Sequence, residues 1–357
     1  TVVSAGTLVV NSNQSGEPSK SAFDAYVAAF SEAHPEVTVV VNEFEHEAYK
    51  TAIRNFLTAE APDVAIWFAG NRMKFFVDQN LFQDVSDVWA DAGLNDSMAS
   101  TKGSLTVDGK QYGVPWGYYQ WGVYYRKDLF DQLGLNVPRD WDEFKWVCAM
   151  LKKNGITPIT IGTKFLWTAG GWFDYLNLRI NGYQFHMDLT AGKVSYEDPR
   201  LDAVFDHWRE LIDPGYFLED HASFSWQDAQ APQINGEAAM YLIGNFYVPT
   251  FEAAGIGDQM DFFQFPTIYE GVGVAEDAPT DTMHIPAGAK NVEDAKKFLA
   301  FMSNAGAAGE WAKIAGMLSP NKNAPKPENR FSIMGAKMLA AADDIAQFWD
   351  RDSNPDM

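Results

Sequence analysis

The sequence predicts an α/β protein built from two doubly wound units, and three observations predict it. Strand and helix patterns alternate from residue 7 to residue 68, the same alternation restarts near residue 114, and 357 residues exceed the roughly 150 typical of one domain.

Thr7 to Val10 reads as a short apolar strand that empties into the polar loop Asn11, Ser12, Asn13, Gln14, Ser15 and Gly16. Phe23, Tyr26, Val27 and Phe30 then recur at i, i+3, i+4 and i+7, with Ser21 and Asp24 arranged as a capping box and Pro35 ending the helix. Val37 to Val41 is an unbroken β-branched run, the pattern of a strand buried on both faces. Tyr49, Ala52, Ile53, Phe56 and Leu57 mark a second helix, and Val64 to Phe68 a third strand that opens into Ala69, Gly70, Asn71 and Arg72. In doubly wound sheets ligands bind beyond the carboxyl ends of the strands, so the loops at 11 to 16, 42 to 47 and 69 to 72 are expected to share one rim.

A hairpin follows, with Asp108-Gly109 as its two-residue turn between Leu105 to Val107 and Gln111 to Val114. Gly122 to Tyr125 begins the second alternation, Asp140-Trp141-Asp142-Glu143 opens a helix through a capping box, Gly155 stops it, and Ile156 to Ile161 is the next strand. Phe265 to Ile268 reads as a crossover, and Met283 to Pro286 as a strand leading to a helix over 292 to 302.

Composition removes several function classes. With 27 Lys+Arg against 48 Asp+Glu the net charge is -21, and no basic stripe interleaved with aromatics offsets it, so nucleic acid is not an expected partner. No run of 18 apolar residues occurs. The single Cys148 excludes an intramolecular disulfide and a cysteine-rich metal site, and its helical spacing with Phe144, Val147 and Leu151 marks it as a buried structural thiol. A basic n-region and an apolar h-region are missing at Thr1, which fits a cytoplasmic protein or a processed one.

Signatures of catalysis are sparse. There is no phosphate-binding P-loop, Gly271, Gly273 and Glu276 fall short of G-x-G-x-x-G, and no G-x-S-x-G elbow occurs. The six histidines, at 34, 46, 186, 207, 221 and 284, never reach metal-ligand spacing. No cofactor and no metal are expected. What stands out is aromatic rings beside amides and charged groups: Trp67-Phe68 before Asn71-Arg72, Trp116 before Tyr118-Tyr119-Gln120, and Trp172-Phe173-Asp174. A pyranose presents an apolar C–H face and a ring of hydroxyls, so a site for it needs a flat ring and fixed donors and acceptors at its edge. The competing reading places each Trp in the core.

Six segments in the chain resemble the family 1 extracellular solute-binding proteins of carbohydrate ABC importers, the group that includes maltose-binding protein. They are Pro62-Asp63-Val64, the run from Asp108 through Gly113 to Pro115, the run from Tyr124 through Arg126 to Phe130, Trp141-Asp142-Glu143-Phe144, Gly236-Glu237-Ala238-Ala239-Met240, and Ile285-Pro286-Ala287-Gly288-Ala289-Lys290. The resemblance implies a type II periplasmic-binding-protein fold: two doubly wound lobes, 1–113 plus 267–303 and 114–266 plus 304–357, joined by a hinge, with a carbohydrate held in the cleft between them. It also implies a periplasmic or membrane-anchored extracytoplasmic protein, without enzymatic activity, that passes its sugar to ABC permease subunits. A monomer suits lobes that open and close.

By the same resemblance, Asn13 and Gln14 fall on the first-strand loop and Glu45 on the second, where the family places polar ligand contacts. Phe68, Asn71 and Arg72 fall on the third, which in maltose-binding proteins carries an aromatic, an Asp and an Arg. Asn71 in place of Asp removes a charge and adds two donors, and Arg72 has the fork to meet two hydroxyls or an anionic sugar. From the second lobe Trp116, Trp172, Trp226 and Asn245 are the candidates, with Asp281 and His284 flanking the returning strand. The alternatives are a secreted glycoside hydrolase, which needs two carboxylates at a set separation, and a receptor for a non-sugar solute.

Overall fold

A computed structural model describes residues 6 to 354. Its strands are β1 Gly6–Ser12, β2 Val37–Glu43, β3 Val64–Phe68, β4 Thr106–Val107, β5 Lys110–Gln111, β6 Val114–Tyr118, β7 Trp121–Arg126, β8 Thr157–Ile159, β9 Ala238–Gly244, β10 Met260–Phe263, β11 Ala275–Asp277, β12 Thr280–His284 and β13 Asp344–Ala346. The chain divides into two compact units, Thr1–Tyr119 with Pro279–Asn329 and Gln120–Ala278 with Arg330–Met357.

The first unit holds a five-stranded sheet of order β2-β1-β3-β12-β6. β1 runs parallel to β2 and β3, while β12 is antiparallel to both β3 and β6. β6 is therefore a strand of this sheet, and the first segment runs to Tyr119 where the sequence mapping ended it at 113. The helix Ala305–Ala315 packs on the helix Ser19–Ala33, which likewise keeps the chain in the first unit to Asn329 where the mapping left it at 303. The crossover anticipated at 265 to 268 falls at 278 to 279.

Local chemistry accounts for most of these elements. The Asp108-Gly109 turn forms as read, with φ of 49° and 79°, the left-handed pair that a type I′ hairpin requires. Glu45 caps the helix His46–Thr58 by accepting the Ala48 N–H at 2.8 Å, and Asp140 caps the helix Trp141–Lys153 through the Glu143 N–H at 2.8 Å. Two expectations change. The first helix starts at Ser19 after Pro18 with no side-chain cap, so Ser21 and Asp24 lie inside it and form no capping box. β2 lies at the sheet edge, and its burial alternates, with Val40 43% exposed, so it is not buried on both faces.

The first core gathers Leu8, Val10, Phe30, Tyr49, Trp89 and Phe298. Its most connected polar member is Asp63, which is buried and accepts three backbone N–H groups: Val9 at 2.9 Å, Lys290 at 2.9 Å and Asn291 at 2.7 Å. The Pro62-Asp63-Val64 segment thus joins β1, the approach to β3 and the loop after β12.

The second unit holds a four-stranded sheet of order β10-β7-β9-β8, with β7 antiparallel to β10 and β9 and with β8 parallel to β9. Its polar anchor is Arg126, which forks onto Asp128 at 2.8 and 2.6 Å and donates to the carbonyls of Gln233 and Ile234 at 2.8 and 3.0 Å. Beside the sheet, β11 pairs in parallel with β13. Cys148 is fully buried on the helix Trp141–Lys153, and burial raises its thiol pKa far above the usual range. A thiol reagent applied to the native protein is therefore expected to leave Cys148 unlabelled and to label it once denaturant is added.

Candidate functional site

In the first unit, the register fixes which loops share a rim. β1, β2, β3 and β6 all end on the same side of the sheet, where β12 begins: Asp281 pairs with Phe68 and Thr280 with Tyr118. The loops after Ser12, Glu43 and Phe68 accordingly lie together, as the parallel order required.

Asn13 and Gln14 lie at this rim and are 2% and 8% exposed. The Gln14 side chain donates to Asn13 Oδ1 at 2.7 Å, and the Gln14 N–H donates to Ser12 Oγ at 3.1 Å. Asn13 Nδ2 is buried without a hydrogen-bond partner, a donor held for something other than the described residues. Phe68 is buried beside His46, with ring centroids 6.2 Å apart. Gly70, at φ 74°, turns the chain from β3 into the helix Asn71–Asp78, placing Asn71 and Arg72 half-buried in its first turn. The Arg72 guanidinium lies 5.9 Å from the Trp67 ring centre, and the Arg72 carbonyl accepts the Trp67 indole N–H at 3.1 Å. Asp281 is buried at the start of β12 on this rim.

Three anticipated residues serve other ends. Glu45 is exposed and spends its carboxylate on the helix cap described above. His284 pairs with Ala65, three residues along β3 from the rim position of Phe68. It stacks on Phe82 at 4.4 Å, and its ring nitrogens meet the Tyr112 carbonyl at 2.7 Å and Thr282 Oγ1 at 2.6 Å. Burial pushes its pKa down to about 4, so it stays neutral as a core histidine. Trp116 lies on β6 in the first unit, against its expected place in the second. It is fully buried among Phe23, Tyr26 and Trp311, at 5.5, 6.1 and 4.4 Å between ring centres.

In the second unit the corresponding rim lies where β9 ends and β7 begins, since Gly244 pairs with Trp121. Asn245 follows Gly244, is fully buried, and neither its side-chain oxygen nor its nitrogen has a hydrogen-bond partner among the described residues. Its backbone N–H donates to the Gln120 carbonyl at 3.0 Å, which fixes it to the start of β7. Around this corner stands an aromatic group. Trp226 lies 5.1 Å from Phe246 and 6.1 Å from Trp167, Trp167 lies 6.1 Å from Trp121, and Trp121 stacks on Phe348 at 4.8 Å. Trp167, Trp226 and Phe246 are half-buried. Trp226 and Asn245, both candidates from the sequence, meet at this corner, beside Trp121, Trp167, Phe246 and Phe348, which were not candidates. Only the cluster of Trp121 with Tyr118-Tyr119-Gln120 offered a local signal. Trp172, by contrast, is 1% exposed and packs on Phe144, Phe217 and Phe265, a core residue of the unit.

The first rim gathers the amides of Asn13, Gln14 and Asn71 with Arg72 and Asp281, and the second gathers the Asn245 amide with a group of aromatic rings. Among the described residues, no group of three or more His, Cys, Asp or Glu is placed to hold a metal ion, and no helix is long and apolar enough to cross a membrane. Two α/β units with such rims define the class of type II periplasmic solute-binding proteins.

The sequence profile described as bacterial extracellular solute-binding protein matches residues 14–309, and the chain belongs to that family. It is 27% identical over 313 residues to an uncharacterized ABC transporter extracellular-binding protein of Pyrococcus horikoshii, covering 86% of this chain and 70% of that one. It is 26% identical over 215 residues to the multiple sugar-binding protein of Streptococcus mutans, covering 59% and 51%. Among solved structures, the bacterial solute receptor AcbH, reported to prefer β-D-galactopyranose exclusively, superposes with a TM-score of 0.93 at 33% identity, over 99% of this chain and 90% of that one.

Proposed function

We propose that this chain is the extracytoplasmic sugar receptor of an ABC importer, taking a neutral pyranose and handing it unchanged to permease subunits. The observation that carries the reading is the second-unit rim, where the half-buried rings of Trp167, Trp226 and Phe246 cluster beside a buried Asn245 amide that makes no side-chain hydrogen bond among the described residues. Indole faces suit the C–H face of a pyranose, and an amide supplies both a donor and an acceptor to its hydroxyls. The first unit by itself carries a rim of polar candidates, Asn13, Gln14, Asn71, Arg72 and Asp281. The AcbH likeness, at 33% identity over almost the whole chain, makes galactopyranose the first ligand to try. The family, described as solute-binding proteins, supports binding without turnover, and the protein would act as a monomer.

A thermal-shift screen of galactose, its epimers, disaccharides and acidic sugars tests this. A ligand at a hundred times its Kd adds about 2.7 kcal/mol of stability, readily visible as a rise in Tm. A rise with one pyranose class supports the proposal, and no rise with any sugar contradicts it.

A further inference from the structure

The second unit buries more acid than it neutralises. Asp174, Glu276 and Asp277 have no exposed surface and Asp352 is 5% exposed. Glu276 is fully accounted for: Arg179 donates to it at 2.7 Å, Gln264 at 2.8 Å and the Tyr175 hydroxyl at 2.9 Å. Among the described residues, Asp277 has no donor to either carboxyl oxygen. Asp174, within hydrogen-bonding reach of Asp277, accepts one N–H, from Trp349 at 2.6 Å. Two carboxyl groups adjoining in a site without water-facing surface cannot both be ionised, and a proton between them supplies the missing donor.

These groups join two pieces of the fold. Asp277 ends β11, which pairs with β13. Asp174 holds the N–H of Trp349, the residue after Phe348, and Phe348 stacks on Trp121 at the rim. Gly170 and Gly171 on the helix Trp167–Ile180 leave room for that stack: a Cβ at Gly171 would lie 2.8 Å from the Trp121 ring and 3.4 Å from Phe348.

We propose that Asp174 and Asp277 share one proton at neutral pH and, as positioning residues, fasten the segment from β13 to Ser353 so that Phe348 stays against Trp121. Loss of that proton loosens the segment and weakens sugar binding, a consequence that rests on the sugar-receptor reading. Among the described residues, the charged or titratable groups that act on the pair are Tyr175 and Arg179 on the same helix, His186 on the next, Glu276 on β11 and Asp352 on the segment itself, while Tyr183, Asp350 and Arg351 lie on those same neighbouring elements. Arg179 is committed to Glu276. His186 Nε2 lies 3.5 Å from Asp174, but burial pushes its pKa down to about 4, so it brings no charge at neutral pH. Burial raises Asp174 well above the carboxylate range, with repulsion from Asp277 adding to it. Burial raises Asp277 likewise, with repulsion from Asp352 and Glu276 adding to it while the hydrogen bond with Asp174 lowers it, and burial pushes Asp352 only to about 6.

A pair raised in the folded state stabilises it fully below the ordinary carboxylate pKa near 4, and that stability is lost as pH rises through the folded-state titration. Infrared spectra of the ligand-free protein at pH 8, where Asp352 is ionised, should show the carbonyl stretch of a protonated carboxylic acid. The band should vanish in Asp277→Asn, whose amide replaces the shared proton as donor. The wild-type Tm and galactose affinity should both fall as pH rises from 6 to 9, and both profiles should flatten in Asp277→Asn. Absence of the band in the wild type, or parallel pH profiles in the two proteins, overturns the proposal. If the variant fails to fold, the wild-type spectrum still decides. If no sugar binds, the infrared and Tm results still decide on the proton pair, so its failure is separable from failure of the receptor reading.

Discussion

Asn245→Ala is expected to weaken sugar binding about a hundredfold while leaving the ligand-free protein as stable as before, or slightly more so. The two halves of this result have one cause. Asn245 is fully buried, and its side-chain oxygen and nitrogen find no partner among the described residues, so in the free protein the amide costs desolvation without return. Removing it relieves that cost. On the proposed reading the same amide would gain hydrogen bonds to the bound sugar beside Phe246, and losing about 2 to 3 kcal/mol of such contacts corresponds to roughly a hundredfold in affinity. An ordinary core residue would behave in the opposite way, losing stability first. Calorimetric titration beside a thermal melt of the free variant separates the cases.

Asp63→Ala is expected to destabilise the first unit by about 4 kcal/mol, because one carboxylate satisfies three backbone donors drawn from distant parts of the chain and no remaining side chain replaces it. Asp63→Asn keeps an acceptor and should lose less. Urea denaturation of both variants measures the difference. Equal stability of Asp63→Ala and the wild type would show that water takes over these N–H groups at little cost.

The alternation of β1, β2 and β3 with their helices could be read directly, because period and punctuation are local properties of the chain. The shared rim at Ser12, Glu43 and Phe68 followed from parallel strand order alone. The fate of each tryptophan was not local. Trp116 and Trp172 look like Trp226 in sequence, each near Gly or polar residues. Yet Trp116 is closed over by Trp311 from a returning segment, and Trp172 by Phe217 and Phe265. Trp226 stays half-buried because its neighbours, Trp167 and Phe246, are themselves at the rim. Glu45 and His284 illustrate the same limit. A polar residue near a strand end is read equally well as a ligand contact, a helix cap or a core hydrogen bond until its partners are known. The pairing of β11 with β13 joins segments far apart in the chain, so the proton-sharing carboxyls beside it had no signal in sequence at all.

The most direct test of the central claim is an isothermal titration of the wild-type protein with D-galactose and its epimers, followed by recovery of the sugar and analysis of its structure. The expected result is saturable binding of a pyranose at one site, with the sugar recovered chemically unchanged. Failure of every pyranose to bind, or recovery of a cleaved or otherwise altered sugar, would contradict it.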